Sequence, residues 1–416
     1  MPPLIAVPHF VPPYVCTVAA VGDVAPVQGA PQDPTQRLDR IERENAELRA
    51  RVDALAAEVE RSALAEIFPP LGEGALGLGP AASKVYQRET SGLSIGGYGE
   101  FLLEAPSGDP DTFDALRAVT YIGYKFDEHW VINSEIEIEH TNEIGLEFCY
   151  VDYRANDSFG ARGGLLLVPM GLVNELHEPT AFLPALRPQT ERRILPTTWR
   201  ENGLGVYGDA GGFAYRAYAI NGFDGEGFDA TGLRGGRQNG GEALVEDVAF
   251  VGRVDWVETP GLVAGAAAYH GDAAQDQSGA FGDLGTTILD VHGHYESGPW
   301  TARALVATAL IDDAGEFNTA TGENLAERLE GFYAELGYDV LAGRETEASL
   351  TPYVRWESID TQAEMPAGFA ADPEQDDELL TFGVNFKPIE NIVLKLDYTD
   401  ADEGTDSMSF LIGYVF

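Results

Sequence analysis

From Gly92 to Phe416, apolar and polar residues alternate with a period of two, in stretches of about ten residues broken by Gly, Pro and acidic clusters. The final stretch shows the pattern. Met408, Phe410, Ile412, Tyr414 and Phe416 fall on one face, and Ser409, Leu411, Gly413 and Val415 on the other. The same reading places strands near 92–104, 113–126, 129–141, 145–155, 158–168, 199–209, 212–221, 247–256, 261–270, 284–296, 299–312, 328–340, 345–358, 377–387, 390–399 and 407–416. Tight turns such as Asp127-Glu128, Asn156-Asp157 and Ala210-Gly211 alternate with mostly longer connections such as 169–198, 222–246 and 359–376. A meander of antiparallel strands with both ends on the tight-turn side has that alternation. The predicted fold is therefore all-β: a 16-stranded antiparallel transmembrane β-barrel over 92–416, preceded by an α-helical coiled coil. A soluble sandwich or propeller explains neither the alternation nor the terminal Phe.

Upstream the period changes. Across 33–66, Leu38, Ile41, Asn45, Leu48, Val52, Leu55, Val59 and Ser62 recur at spacings of three and four, an a/d heptad seam. Asp33 or Thr35 can cap the helix start. Asn45 at an a position would set register, and the seam predicts an oligomer without choosing between dimer and trimer. A lone amphipathic helix packed on another surface is the competing reading. Residues 67–91, with Pro69, Pro70, Pro80 and repeated Gly, read as a linker. Residues 1–30 lack Lys and Arg, and Val15 to Val21 makes only a poor apolar core for a signal or leader.

The net charge of −42 argues against a nucleic-acid partner. Much of the acid, including Asp360, Glu364, Asp372, Glu374 and Asp376 to Glu378, falls in the expected loop 359–376 or at its edge and reads as solvated surface. No apolar run is long enough for a membrane helix, a test that barrel strands do not need to pass. Cys149, alone once Cys16 is lost with a leader, is expected as a small packed residue. The five Trp fall at expected strand ends, where an interfacial girdle would put them.

Alternation also sorts the charges. Ile132, Ile136 and Ile138 share one face of their strand, and Glu135, Glu137 and Glu139 the other. A charge at mid-membrane on the lipid face costs about 2–4 kcal/mol for Lys or Arg and less for an acid. The Glu row should face the lumen, together with Arg117, Lys125, Arg200, Arg216, Arg253, Arg303, Arg355 and Lys395, and with Asp255, Glu335, Glu357 and Asp397. A lumen of mixed sign implies water and a transverse field. Mutual salt bridges are the competing reading.

The connection 169–198 is long and too apolar to float in water, with Leu172, Val173, Phe182, Leu183, Leu186 and Ile194. It is expected to fold inward and narrow the channel. Arg187, Arg192, Arg193 and Arg200 supply forked donors suited to phosphate or carboxylate. Glu175, Glu178, Glu191 and Glu201 lie close enough in sequence to neutralise them.

The segment Gly163 to Glu175, followed by Glu191-Arg192, resembles the phosphate-selective porin O/P family. There a strand of form G-x-x-x-x-P-x-G leads into a third loop that carries a Glu-Arg pair. Gly96-Gly-Tyr-Gly-Glu100, the heptads and the final Phe416 fit the same resemblance. It implies a trimeric sixteen-stranded channel with the third loop in the pore, and Arg and Lys on the pore wall of phosphate-selective members.

Asp290, His292 and His294 share one strand face, but ligands at i, i+2 and i+4 splay about 7 Å apart, and a polar lumen face is the expected role. No hydrolase, zinc or phosphate-loop motif appears, so neither an enzyme nor a cofactor is expected. The sequence thus predicts a passive outer-membrane channel for small solutes and ions, a homotrimer in outer-membrane lipid with a periplasmic coiled coil. The alternative is a tether that reaches the cell wall through its helix.

Overall fold

The computed structural model describes residues 34–67, 71–72 and 74–416; the expected leader 1–30 lies outside them. A 34-residue helix, α1 (Pro34–Ile67), covers the heptad stretch. In the single chain the seam from Leu38 to Leu55 is solvent-exposed, with Leu38 at 56 %, Leu48 at 57 % and Val52 at 62 %.

Sixteen antiparallel strands follow: β1 (Gly92–Pro106), β2 (Thr112–Lys125), β3 (Trp130–Glu139), β4 (Glu143–Asn156), β5 (Phe159–Leu167), β6 (Arg200–Ala210), β7 (Phe213–Asn221), β8 (Val248–Trp256), β9 (Leu262–Gly271), β10 (Thr286–Ser297), β11 (Trp300–Ile311), β12 (Arg328–Tyr338), β13 (Ser349–Glu364), β14 (Asp376–Ile389), β15 (Ile392–Ala401) and β16 (Ser407–Val415). Each pairs with its sequence neighbours, and β16 returns to β1, closing the barrel. Phe416 continues the seam beyond β16. Its N–H donates to the Gly97 carbonyl at 2.9 Å and its carbonyl accepts from Gly97 at 3.0 Å. The two-residue hairpin Ala210-Gly211-Gly212-Phe213 has φ of +60° and +83° at its two central residues, which is why both are Gly.

The outward face is an apolar belt that includes Ile122, Ile132, Ile138, Val151, Val254, Val306 and Leu396. Where it meets the turns, aromatic pairs ring the barrel: Trp130 with Tyr153 at 4.8 Å, Phe213 with Trp256 at 5.0 Å and Trp300 with Tyr338 at 4.7 Å. Two Trp depart from the expected girdle. Trp356 lies mid-strand in β13, and Trp199 is fully buried inside, stacked on Phe223 at 4.6 Å. Cys149 faces outward and is exposed, not packed in a core.

β13 runs past its expected end, so Asp360 and Glu364 are strand residues rather than loop, and β14 takes in Asp376 ahead of its expected start. A hairpin that rises clear of the apolar belt needs no apolar outer face, so period-two alternation fades while pairing continues.

The largest departure concerns the expected linker. Within it, Leu78 and Ala81 to Val85 are buried inside the barrel. The Ala82 carbonyl accepts from Asn133 Nδ2 at 2.9 Å, and the Tyr86 hydroxyl donates to Asp152 at 2.5 Å. The wall makes room for this plug with Gly. A Cβ on Gly123 would lie 2.6 Å from Val85, and one on Gly96 2.9 Å from the Ala81 carbonyl. Beside it, inward aromatics stack from strand to strand: Tyr98 and Tyr121 at 6.1 Å, Tyr121 and Phe148 at 6.0 Å, Phe148 and Tyr150 at 5.3 Å. This side of the lumen is packed, not water-filled.

Candidate functional site

The loop between β5 and β6, residues 168–199, is closed at its base by Asn174. Its amide donates to the carbonyls of Val168 and Trp199, and its oxygen accepts from Trp199 N–H and the Thr197 hydroxyl. Glu191, in the short helix α2 (Gln189–Arg193), accepts from the N–H groups of Leu172 and Val173 and from the Tyr333 hydroxyl. The loop then crosses to the wall formed by β10 to β15. Glu357 accepts from Thr190, and Asp397 from Ala185 N–H. Lys395, Asn385, Lys387, Arg303 and Arg355 donate to the carbonyls of Pro184, Leu183, Thr180, Ala181 and Leu186. An irregular segment inside a barrel must find partners for its backbone, and here the luminal cations are those partners. On the plug side Glu178 accepts from the N–H groups of Ala81 and Ala82 at 2.9 and 3.1 Å. Burial pushes its carboxyl up to about 7.

Most expected pore charges neutralise one another. Arg117 joins Glu100, Glu137 and Glu139 at 2.9, 3.4 and 3.2 Å. Arg216 and Arg253 share Glu175 and Asp255. Arg355 pairs with Glu357 at 2.8 Å and reaches Glu335 at 4.0 Å, and Arg200 meets Glu147 at 2.7 Å. Glu135 receives His177 at 3.2 Å. For these residues pairing prevails over an open transverse field. Arg303 has the Ala181 carbonyl and no carboxylate within ion-pair distance among the described residues. Arg193 points away from the cavity described next, with a buried guanidinium nitrogen that has no hydrogen-bond partner.

Above the loop, toward the long connections, lies a cavity of 460 Å³. Arg117, Arg187, Arg192, Arg200, Arg234 and Arg237 line it, facing Glu100, Glu104, Glu139 and Glu147. Arg187, Arg192, Arg234 and Arg237 have no carboxylate within 4.0 Å among the described residues. Arg187 donates to the Thr198 hydroxyl, Arg234 to the Thr197 carbonyl, and Arg237 to the carbonyls of Pro196 and Thr198. Burial, then the charges of Arg237, Arg192 and Arg187, hold the Arg234 guanidinium down to about 9; burial and Arg200 hold Arg237 to about 10. Arg234 and Arg237 come from the connection 222–247 and were not among the residues read from sequence. The available signal was two Arg three apart, in a chain with only 26 Lys and Arg.

Comparison with known proteins places the chain. An uncharacterised protein of Aquifex aeolicus (strain VF5) is 38 % identical over 358 residues, 81 % of each chain. The chain belongs to the family of that Aquifex protein. No family model matches it. Among solved structures, OmpT, an outer-membrane protein of Vibrio cholerae, is similar with a TM-score of 0.53 and 12 % identity over 79 % of this chain and 100 % of that one. Salmonella typhi OmpF, solved in complex with daunomycin, gives 0.53 and 11 % over 78 % and 97 %. At these identities the likeness is one of fold, that of outer-membrane porins.

Within this family's barrel, Asp290 and His292 do not form the open ligand row considered from sequence. His292 lies between Asp290 at 2.5 Å and Asp255 at 2.7 Å, both its ring nitrogens engaged. Asp290 also accepts from Gly171 N–H, tying this strand to the loop base. His294, on the same face, makes no contact with this set and lies 3.9 Å from Glu296. No metal-binding cluster occurs among the described residues.

Proposed function

We propose that the chain is a passive channel of the bacterial outer membrane for small hydrophilic solutes, narrowed by the loop 168–199 and favouring anions. The apolar belt, the aromatic ring and a fold shared with outer-membrane porins support the location. The observation that carries the anion preference is the set of Arg187, Arg192, Arg234 and Arg237, four guanidinium groups on one cavity without ion-pair partners among the described residues. A chloride, phosphate or carboxylate meets forked donors there, and a cation meets uncompensated positive charge. The net charge of −42 opposes this only at long range. Its field is screened within about 8 Å at physiological salt, so the cluster at the constriction decides. Phosphate is the anion that the porin O/P resemblance singles out.

The exposed seam of α1 supports assembly through a coiled coil on the periplasmic side, within a homotrimer. The same seam favours a second reading, a tether toward the cell wall. The deciding measurement is the reversal potential of the purified protein in a planar bilayer under a KCl gradient, repeated with phosphate. Anion preference with block by phosphate is expected. Cation preference overturns the assignment of the arginines, and absence of conductance overturns the channel and leaves the tether.

A further inference from the structure

A second cavity, of 700 Å³, opens at the turn end of the barrel, and the channel reading assigns it no role. Its apolar lining includes Leu76 and Leu78 from the plug and Leu172 and Leu176 from the loop. Its charged lining includes Arg216, Arg253 and Arg303, with the acids Glu175, Asp209, Asp255 and Glu296. Glu175 and Asp255 neutralise the first two. Arg303 differs. No carboxylate lies within 4.0 Å of it among the described residues; Glu335, opposite it in register, stays beyond that distance and lies 4.0 Å from Arg355. Arg303 is only 7 % exposed; it donates to the Ala181 carbonyl, and its buried Nε has no hydrogen-bond partner among the described residues. Nε2 of His294, its neighbour on β10, is likewise buried without a hydrogen-bond partner among them.

A buried guanidinium with an unused donor beside apolar side chains is half of a recognition site. A carboxylate satisfies the donor, and a hydrocarbon tail covers the leucines. The volume falls in the range of small-molecule sites, about 300–1,000 Å³. We propose that this cavity binds short-chain alkyl carboxylates, with the carboxylate on Arg303 and the chain against Leu76, Leu78, Leu172 and Leu176. The inference goes beyond the channel reading and stands without it, because a closed barrel could hold the same ligand.

Titration calorimetry on the full chain in detergent, with acetate, hexanoate and inorganic phosphate as probes, tests it. Each buried methylene strengthens binding about fourfold, so hexanoate should bind at least tenfold more tightly than acetate. Arg303→Gln should weaken hexanoate at least tenfold, with Arg303→Lys between the two. Leu76→Ser with Leu176→Ser should reduce the hexanoate-to-acetate ratio several-fold and leave acetate unchanged, and this pair decides the matter if the Arg303 variants do not fold. Equal affinity for acetate and hexanoate, wild-type binding by folded Arg303→Gln, or no saturable binding of either carboxylate overturns the proposal. Hexanoate binding without bilayer conductance overturns the channel reading alone.

Discussion

The two ends of the lumen are built on the same strands yet differ in chemistry. The loop-end cavity is ringed by six Arg, four of them without ion-pair partners among the described residues, whereas the turn-end cavity combines leucines with arginines that are mostly paired. The strands contribute charges of both signs at both ends, and most of these cancel. What separates the ends comes from elsewhere: Arg234 and Arg237 from a connection above, Leu76 and Leu78 from the plug below. The barrel supplies a scaffold of balanced charge, and the irregular segments folded into it set the local imbalance.

The harshest way to break this contrast is to unbalance the scaffold itself. Arg117→Ala leaves Glu100, Glu137 and Glu139 without their shared cation, all in an interior position. Removing one partner of a buried pair costs about 3–5 kcal/mol. The variant should lose its folded band in unheated electrophoresis at a temperature well below that of wild type. Next in size is the loop-end imbalance. Arg234→Gln with Arg237→Gln should shift the chloride-to-potassium permeability ratio several-fold toward potassium, read from the reversal potential, while hexanoate binding at the other end stays unchanged. A shift in both would mean that the two ends are not separate.

The plug can be displaced from its notch without altering its own residues. Gly123→Leu would collide with Val85, and overpacking of this kind costs about 1–3 kcal/mol. The expected outcome is a larger single-channel conductance with unchanged anion preference, since the loop-end arginines are untouched. The smallest effect expected is that of pH on the contact between plug and loop. The Glu178 carboxyl is raised from 4.5 to about 7 by burial, so folding favours its protonated form. Burial outweighs the two N–H bonds, which favour the carboxylate, so the folded state is most stable at the acid end and loses that stability as pH rises through 7. Thermal stability should fall modestly from pH 5 to pH 8, and Glu178→Gln should flatten that dependence.

The barrel was legible because closure imposes a simple rule. Every strand must show an apolar face outward and a polar face inward, so a period of two located all sixteen strands and turned Glu135, Arg253 and Lys395 inward. The rule weakened where its cause did: the acidic end of β13, from Ile359 to Glu364, rises above the apolar belt and was read as loop. It was silent about Trp199, whose position at a strand edge looks the same whether the ring faces lipid or the loop base. The helix of α1 was equally legible from its heptads, because local periodicity and local structure coincide there.

Partners across the lumen were not legible. Local pattern shows that Arg355 and Glu357 share a face, but not that Arg216 meets Glu175, that Glu178 caps the plug backbone, or that Arg234 turns toward Arg192. Those contacts join segments tens of residues apart, and no periodicity relates them. The sequence by itself determined the wall, because each strand pays its own cost of facing lipid or water, residue by residue. Only the tertiary structure decided which charges cancel and which stay unpaired. That depends on which side chains meet within about 4 Å inside a closed cylinder, a distance that closure and the inward folding of the loop and plug set together.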